Sequence, residues 1–390
     1  MPFAIYVLGL AVFAQGTSEF MLSGLLPDIA ADLGVSIPTA GSLTSAFAVG
    51  MVIGAPLVAL LSRRWPRRAT LLVFLVVFLL VHVLGAVTGS FPVLLATRVV
   101  AALANAGFLA VALTAATAMV DANSKGRATS VLLGGVTIAL VAGVPLGALI
   151  GGQWGWRSAF WAVAVISVPP ALAILRAVPA DAADPGAPGA RLELRALGRP
   201  RPAVTLLLGT LVNGATFCTL TYLASVVTGV TALGESWVPA ALVVFGVGAF
   251  AGVAVGGRLA DGRPLHLLGI GMSALPVGWV LFAMTAGSPI AAFALVLIQG
   301  ALSFAVGSTL VSQVLYSAAD APTLAGGFST AALNIGAMAG PTLGGLAIGS
   351  GFGFRSPMLV SAALAAAALL LGGMALARGG AVRRADRSTA

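Results

Sequence analysis

"FAIYVLGLAVFAQGTSEFML", residues 3–22, is apolar, aromatic or small at every position except Gln15 and Glu19. About 20 such residues cross the hydrocarbon core of a bilayer as one helix. No basic residue precedes the stretch, which reads as a retained span and not as a cleaved leader. An ionised carboxylate inside it costs roughly 3 kcal/mol on insertion scales, so Glu19 needs a reason to be there.

The rest of the chain has the same character. Apolar residues make up 59% of the 390 and charged residues 8%, with mean hydropathy +1.08. A soluble domain cannot hide that much apolar surface. The 50 glycines and 21 prolines suit membrane helices. Continuous apolar runs, without alternation, speak against a membrane barrel. The single cysteine, Cys218, excludes a disulfide framework, and His82 and His266 lack ligand-like spacing. No metal and no cofactor are expected.

Apolar runs between charges and turn residues predict twelve spans: 4–26, 40–61, 69–88, 92–119, 128–150, 158–177, 203–228, 238–257, 265–286, 289–315, 326–349 and 356–377. Of the 20 Lys and Arg, 17 fall on one side of this topology. Arg157 and Arg355 lie on the other, and Arg98 is inside a span. Basic loops stay cytoplasmic, so both termini are expected inside a multi-pass plasma-membrane protein. The net charge of +9 then reflects membrane side, not nucleic-acid binding.

The stretch "VPADAADPGAPGARLELRALGRPRP", residues 178–202, carries five prolines and seven charges at the midpoint of the chain. It reads as a solvated cytoplasmic linker, with a short surface helix at "RLELRAL" as the alternative. The two sides of it repeat with an offset of 198 residues: "GWRSAF" (155–160) over "GFRSPM" (353–358), "ALLSRRWP" (59–66) over "GRLADGRP" (257–264), "GVPLGALIGG" (143–152) over "PTLGGLAIGS" (341–350). The expected fold is all-α, with two six-helix bundles related by pseudo-twofold symmetry. They would be 1–177 and 203–377, joined by 178–202 and followed by a basic tail, 378–390. Such bundles rock about a midplane site.

"TSEFMLSGLLPDIAADLGVS" resembles the first helix of Major Facilitator Superfamily drug/proton antiporters of the twelve-helix group, nearest to actinomycete chloramphenicol-resistance exporters. The similarity extends to "RVVAALANAG" from Arg98, to the antiporter motif at Gly143, Pro145, Gly147 and Gly151, and to the loop motif "GGRLADGRP" with Asp261 and Arg263. In the first half the loop motif departs from the family pattern. Arg63 stands where an acid is usual, although the basic run with Arg67 and Arg68 is kept. The resemblance implies proton-driven export of a small drug by a monomer in the bilayer, with no cofactor.

Glu19 is the one carboxylate well inside a span, and an acid that faces alternate sides can couple a proton to a substrate. Its bland alternative is an acceptor of interhelical hydrogen bonds. Gln15, one turn earlier, continues a polar stripe or serves as packing glue. Arg98 keeps its proton and therefore needs a partner. The family motif implies an influence on proton release, and the alternative is an arginine reaching to the interface. Asn105 shares its helix face. His82 reads as packing or interfacial more than as a proton relay.

Gly143, Gly147 and Gly151, and in the second half Gly336, Gly340 and Gly344, recur every fourth residue. Such stripes allow close helix approach. The resemblance implies a seal between bundles, and plain packing is the alternative. Asn213, Thr216, Phe217, Tyr222, Gln299 and Asn334 are polar or aromatic points in apolar spans that suit a cavity for an amphipathic drug. Export of a sugar or another metabolite is the second reading. A membrane enzyme or an ATP-driven pump lacks its motifs in this sequence.

Overall fold

The computed structural model describes residues 1–22, 25–35, 37–62, 65–178, 190–321 and 324–388. Among these there is no strand. Twelve long helices carry the fold. Those of the first half are α1 (Phe3–Met21), α2 (Ile37–Ser62), α3 (Arg67–Val87), α4 (Phe91–Ala118), α5 (Lys125–Trp154) and α6 (Arg157–Ala177). Those of the second are α7 (Pro200–Thr221), α8 (Val238–Gly262), α9 (Pro264–Thr285), α10 (Pro289–Ser317), α11 (Leu324–Ala347) and α12 (Ser356–Ser388). A helix keeps every backbone bond within itself, which is what a bilayer demands. Seven of the twelve, α2, α4, α7–α10 and α12, have proline in the first turn, where the missing N–H costs nothing.

Two predicted spans were too long. The first ends at Met21, before a separate short helix, Leu26–Asp32, that has proline in its first turn. The seventh ends at Thr221, and a second helix, Leu223–Gly229, follows a break at Tyr222. Apolar composition runs through both breaks, so hydropathy could not register them. In the opposite sense, α12 continues past its predicted end to Ser388.

The 198-residue repeat reappears as geometry. Gly155 and Gly353 both turn the chain with positive φ, 79° and 69°, a region that favours glycine. Ser158 and Ser356 each fold back on that glycine's carbonyl, at 2.6 and 2.7 Å. Arg157 then donates to Thr88 O at the end of α3, and Arg355 donates to Ala283 O and Met284 O at the end of α9. In both halves an arginine satisfies carbonyls that a helix end leaves open.

Arg157 also binds Asp32 Oδ2 at 2.5 Å, and Trp156 Nε1 donates to the same oxygen at 3.2 Å. These donors hold the Asp32 carboxyl below the usual carboxylate range. The sign follows: the pair's contribution is complete above the ordinary value of about 3.9 and fades as pH falls from there toward the lowered folded value. The melting-temperature gap between the native protein and Asp32→Asn should therefore be flat from pH 7 to about pH 4 and shrink only below it.

Three apolar cores organise the packing. One lies in the second half alone and joins α7–α10 with α12 through Trp279, Phe282 and Met358. Another belongs to the first half, around Phe47, Phe78 and Phe160, and receives only Ala331 from α11. The third is shared. Near the face that carries the chain termini, Leu8, Phe108, Leu113 and Leu132 meet Val311, Val314, Leu315 and Leu324. The halves thus share a core at the terminal face, and their other two cores are separate but for Ala331.

The linker is not merely solvated chain. Ala190–Leu197 is helical, with Leu192 and Leu194 exposed and Glu193, Ala196 and Leu197 buried. Ala196 and Leu197 enter the shared core. Glu193 accepts the N–H of Leu324, the first residue of α11, at 2.9 Å, a helix start where negative charge is favourable. Arg199 pairs with Asp320 at 2.7 Å just before that helix. The charge pattern of "RLELRAL" hid this contact, because Glu193 reads as solvent-facing until its helix partner is known. Glu193→Ala should lower the melting temperature of the purified protein, with a cost of about 1–2 kcal/mol. Glu193→Gln, which keeps an acceptor oxygen, should recover much of it.

Candidate functional site

Where the halves face each other they enclose one central cavity. The spacing of Val12, Gly16 and Glu19 puts all three on one face of α1, and all three line it. Met51 of α2, Asn105 and Leu109 of α4, and Leu133 and Val136 of α5 complete the first half's wall. The second half supplies Asn213, Thr216 and Phe217 of α7 and Ser303, Phe304, Gly307 and Ser308 of α10. From α11 come Thr330, Leu333, Asn334 and Ala337. Aliphatic and phenyl groups thus alternate with isolated amides and hydroxyls. Glu19 is half-buried and is the only carboxylate among these lining residues.

The wall's amides are held in place. Asn213 Nδ2 donates to Leu333 O across the α7–α11 contact at 2.7 Å, and Asn334 Nδ2 donates to Thr330 O at 3.0 Å. Thr216 Oγ1 bonds Val212 O at 2.8 Å. Asn105 is buried on the α4 side.

Arg98 is 1% exposed and does not reach out to an interface. Its Nη1 donates to Ser18 Oγ at 2.7 Å and its Nη2 to Ser18 O at 3.1 Å. The guanidinium lies 4.5 Å from the ring centre of Phe47. His82, also 1% exposed, contacts Ser18 Oγ through Nε2 at 2.6 Å and Phe78 O through Nδ1 at 2.6 Å. Arg157 pairs with Asp32 and Arg199 with Asp320, and neither pair involves Arg98 or Glu19. Arg98 and Glu19 therefore sit near one another on α4 and α1 without pairing.

Three expected cavity residues lie elsewhere. Gln15 is fully buried, its amide atoms have no hydrogen-bond partner, and it is absent from the wall. Tyr222 donates its hydroxyl to Pro341 O at 2.9 Å and packs against Gly344 and Gly345. Gln299 is buried against α9, where Nε2 donates to Leu275 O at 3.0 Å. Both serve contacts between helices of the second half. Conversely, Ser303, Ser308 and Thr330 line the cavity, although Thr216 is the one short hydroxyl residue singled out for it in the sequence.

The glycine stripes also resolve differently from a seal between bundles. Gly143, Gly147 and Gly151 face Thr17, Met21 and Leu25 of the first half. Gly336 and Gly340 face Thr210 and Gly214 of α7, and Gly344 faces Cys218 and Tyr222. Each stripe packs inside its own half, in symmetry-equivalent pairs α1–α5 and α7–α11. The glycines between halves are others: Gly246 against Val141, Gly257 against Ser130, and Gly326 against Ala110 and Thr114. Pro145 and Asp261 fall within α5 and α8, and their side chains lie outside the described residues, as does Arg63 entirely. Arg67 and Arg68 open α3, and Arg263 closes α8 through its N–H to Leu259 O.

With this geometry in hand, comparisons locate the chain among known proteins. The profile of the Major Facilitator Superfamily matches residues 8–326. A chloramphenicol resistance protein of Streptomyces lividans is 57% identical over 374 residues, 95% of each chain. A chloramphenicol efflux pump of Mycobacterium tuberculosis is 32% identical over 360 residues, 87% of this chain and 84% of its own. The crystal structure of FucP in the outward conformation has a TM-score of 0.79 at 16% identity, covering 96% of this chain and 98% of that one. The chain belongs to the Major Facilitator Superfamily.

Proposed function

We propose that this membrane transporter exports a small amphipathic drug, chloramphenicol foremost, in exchange for protons. The observation that carries this reading is Glu19, the one carboxylate in the wall of a cavity built by both halves. Its apolar walls with spaced hydrogen-bonding groups suit an amphipathic ligand. The resistance protein at 57% identity supports the phenicol assignment.

The arrangement supports a cycle of alternating access. Residues 1–177 and 203–377 act as the two moving bodies, 178–202 joins them, and 378–390 is a basic tail. With basic loops retained inside, the terminal face is cytoplasmic and the shared core closes that side. The cavity in this state serves release outward, as Glu19 takes up a proton and drug leaves. After rocking, Glu19 gives its proton to the cytoplasm and the site accepts drug again. Arg98 tunes that exchange. Asn105, Asn213, Thr216, Phe217 and Asn334 contact drug, and the helix seams bearing Gly246, Gly257 and Gly326 act as the gate. The carrier works as a monomer, with the proton gradient as its only energy source.

The deciding experiment is accumulation of labelled chloramphenicol in cells with and without the protein, before and after a protonophore. Lower accumulation that is lost on collapse of the gradient is expected. Accumulation equal to that of control cells throughout sinks the phenicol assignment. Export that survives the protonophore sinks proton coupling, and export of a pentose instead would favour the metabolite reading.

A further inference from the structure

We infer that Ser18 and His82 are positioning residues for proton exchange, holding Arg98 beside Glu19 while keeping its guanidinium off the carboxylate. The inference rests on Glu19 as proton carrier.

The hydrogen-bond directions are forced. Phe78's carbonyl oxygen can only accept, so His82 Nδ1 is the donor in their 2.6 Å contact. In the neutral ring Nε2 is then the acceptor, and the Ser18 hydroxyl gives it its single proton across 2.6 Å. The oxygen of Ser18 is left to accept from Arg98 Nη1 at 2.7 Å. Donation therefore runs one way, from Arg98 to Ser18 to His82 to the Phe78 carbonyl. A doubly protonated ring would turn an N–H toward the serine oxygen and place a second cation by Arg98. The chain of bonds selects the neutral tautomer.

Its geometric result concerns Glu19. Residues 18 and 19 project about 100° apart on a helix, so an arginine anchored at Ser18 acts on Glu19 from the side. A direct ion pair would tie the carboxylate up. A looser arginine would leave it without a fixed neighbour. Phe47 covers the guanidinium from α2 at 4.5 Å, and Phe78 and Phe160 hold the imidazole from α3 and α6, with ring centres at 4.1 and 5.8 Å. Around Glu19 the charged or titratable groups are Arg98 of α4 and, behind it, His82 of α3. The cavity wall from α2, α5, α7, α10 and α11 presents neutral side chains.

The test needs no drug, so it does not depend on which compound is exported. Purified full-length protein is treated with dicyclohexylcarbodiimide, which adds to protonated carboxyl groups, and modification at Glu19 is followed by mass spectrometry against pH. Glu19→Gln controls for site. Displacing the guanidinium by about 2 Å shifts the labelling midpoint by about 0.5 pH unit at an effective dielectric of about 20. Ser18→Ala and His82→Leu should each move the midpoint by at least about that much, in the sense opposite to Arg98→Gln, because the freed guanidinium closes on the carboxylate that the anchor kept it from. Ser18→Thr and His82→Gln, which keep the hydroxyl and the acceptor, should restore it. Unmoved midpoints in Ser18→Ala and His82→Leu, with only reduced thermal stability, overturn the positioning role and leave Glu19's role intact. If His82→Leu does not fold, Ser18→Ala decides alone. Absence of pH-dependent labelling in the native protein overturns Glu19 as carrier, and the inference with it.

Discussion

Cells producing the Glu19→Gln protein should accumulate chloramphenicol to the level of cells that lack the transporter. The amide keeps the size and one acceptor oxygen of the native side chain but carries no exchangeable acid. One proton moving through about 100 mV supplies about 2.3 kcal/mol. At 1.4 kcal/mol per factor of ten, this sustains roughly a fortyfold gradient of a neutral drug. Without that coupling the gradient should fall to about one. Glu19→Asp, which shortens the arm but keeps the acid, should retain part of the efflux. Undiminished active efflux by Glu19→Gln would reassign the residue to helix packing and leave the energy source unexplained. The prediction concerns coupling rather than folding, so the variant should reach the membrane in normal amount.

The second large effect is expected at Gly257. A methyl group there would overlap Ser130 of α5 and approach Gly126 O to 3.1 Å. This contact joins the halves near the terminal face, so Gly257→Val penalises the state with that face closed and not the one with it open. Overpacking of about 1–3 kcal/mol should raise the open population about 5- to 150-fold. A maleimide applied from the side of the chain termini would read this through Val314→Cys, since Val314 is 2% exposed in the shared core. Gly147→Val is the contrasting case. Gly147 meets Met21 within the first half, so bulk there should reduce folding yield without speeding the labelling of folded molecules. Equal labelling of Val314→Cys with and without Gly257→Val would show that the α5–α8 seam does not set the balance.

Much of this architecture was legible from the chain itself. Twelve helices followed from hydropathy because a bilayer permits few alternatives, and the offset linking Arg157 to Arg355 anticipated a shared capping geometry. Glu19 stood out because its surroundings are uniformly apolar. Contacts at a distance were less legible. The every-fourth-residue glycines announce close approach, but the pattern carries no address for the partner helix, so for Gly143 and Gly340 it leaves packing within a half and a seal between halves equally open. Tyr222 and Gln299 show the same limit: a polar group in an apolar span must bond to something, and a helix carbonyl serves as well as a ligand. Ser18 gave no signal, and His82 only that of a polar ring in an apolar span, because their chemistry depends on three helices meeting.

The shared core at the terminal face has a thermal corollary. Leu113, Val311, Val314 and Leu324 come from both halves, so opening that face would wet aliphatic surface that is now dry. The attraction between such surfaces weakens on cooling, and the step should carry a positive heat-capacity change. Chilling should therefore loosen this closure in preference to the rest of the molecule, leaving carriers parked open at the terminal face at low temperature.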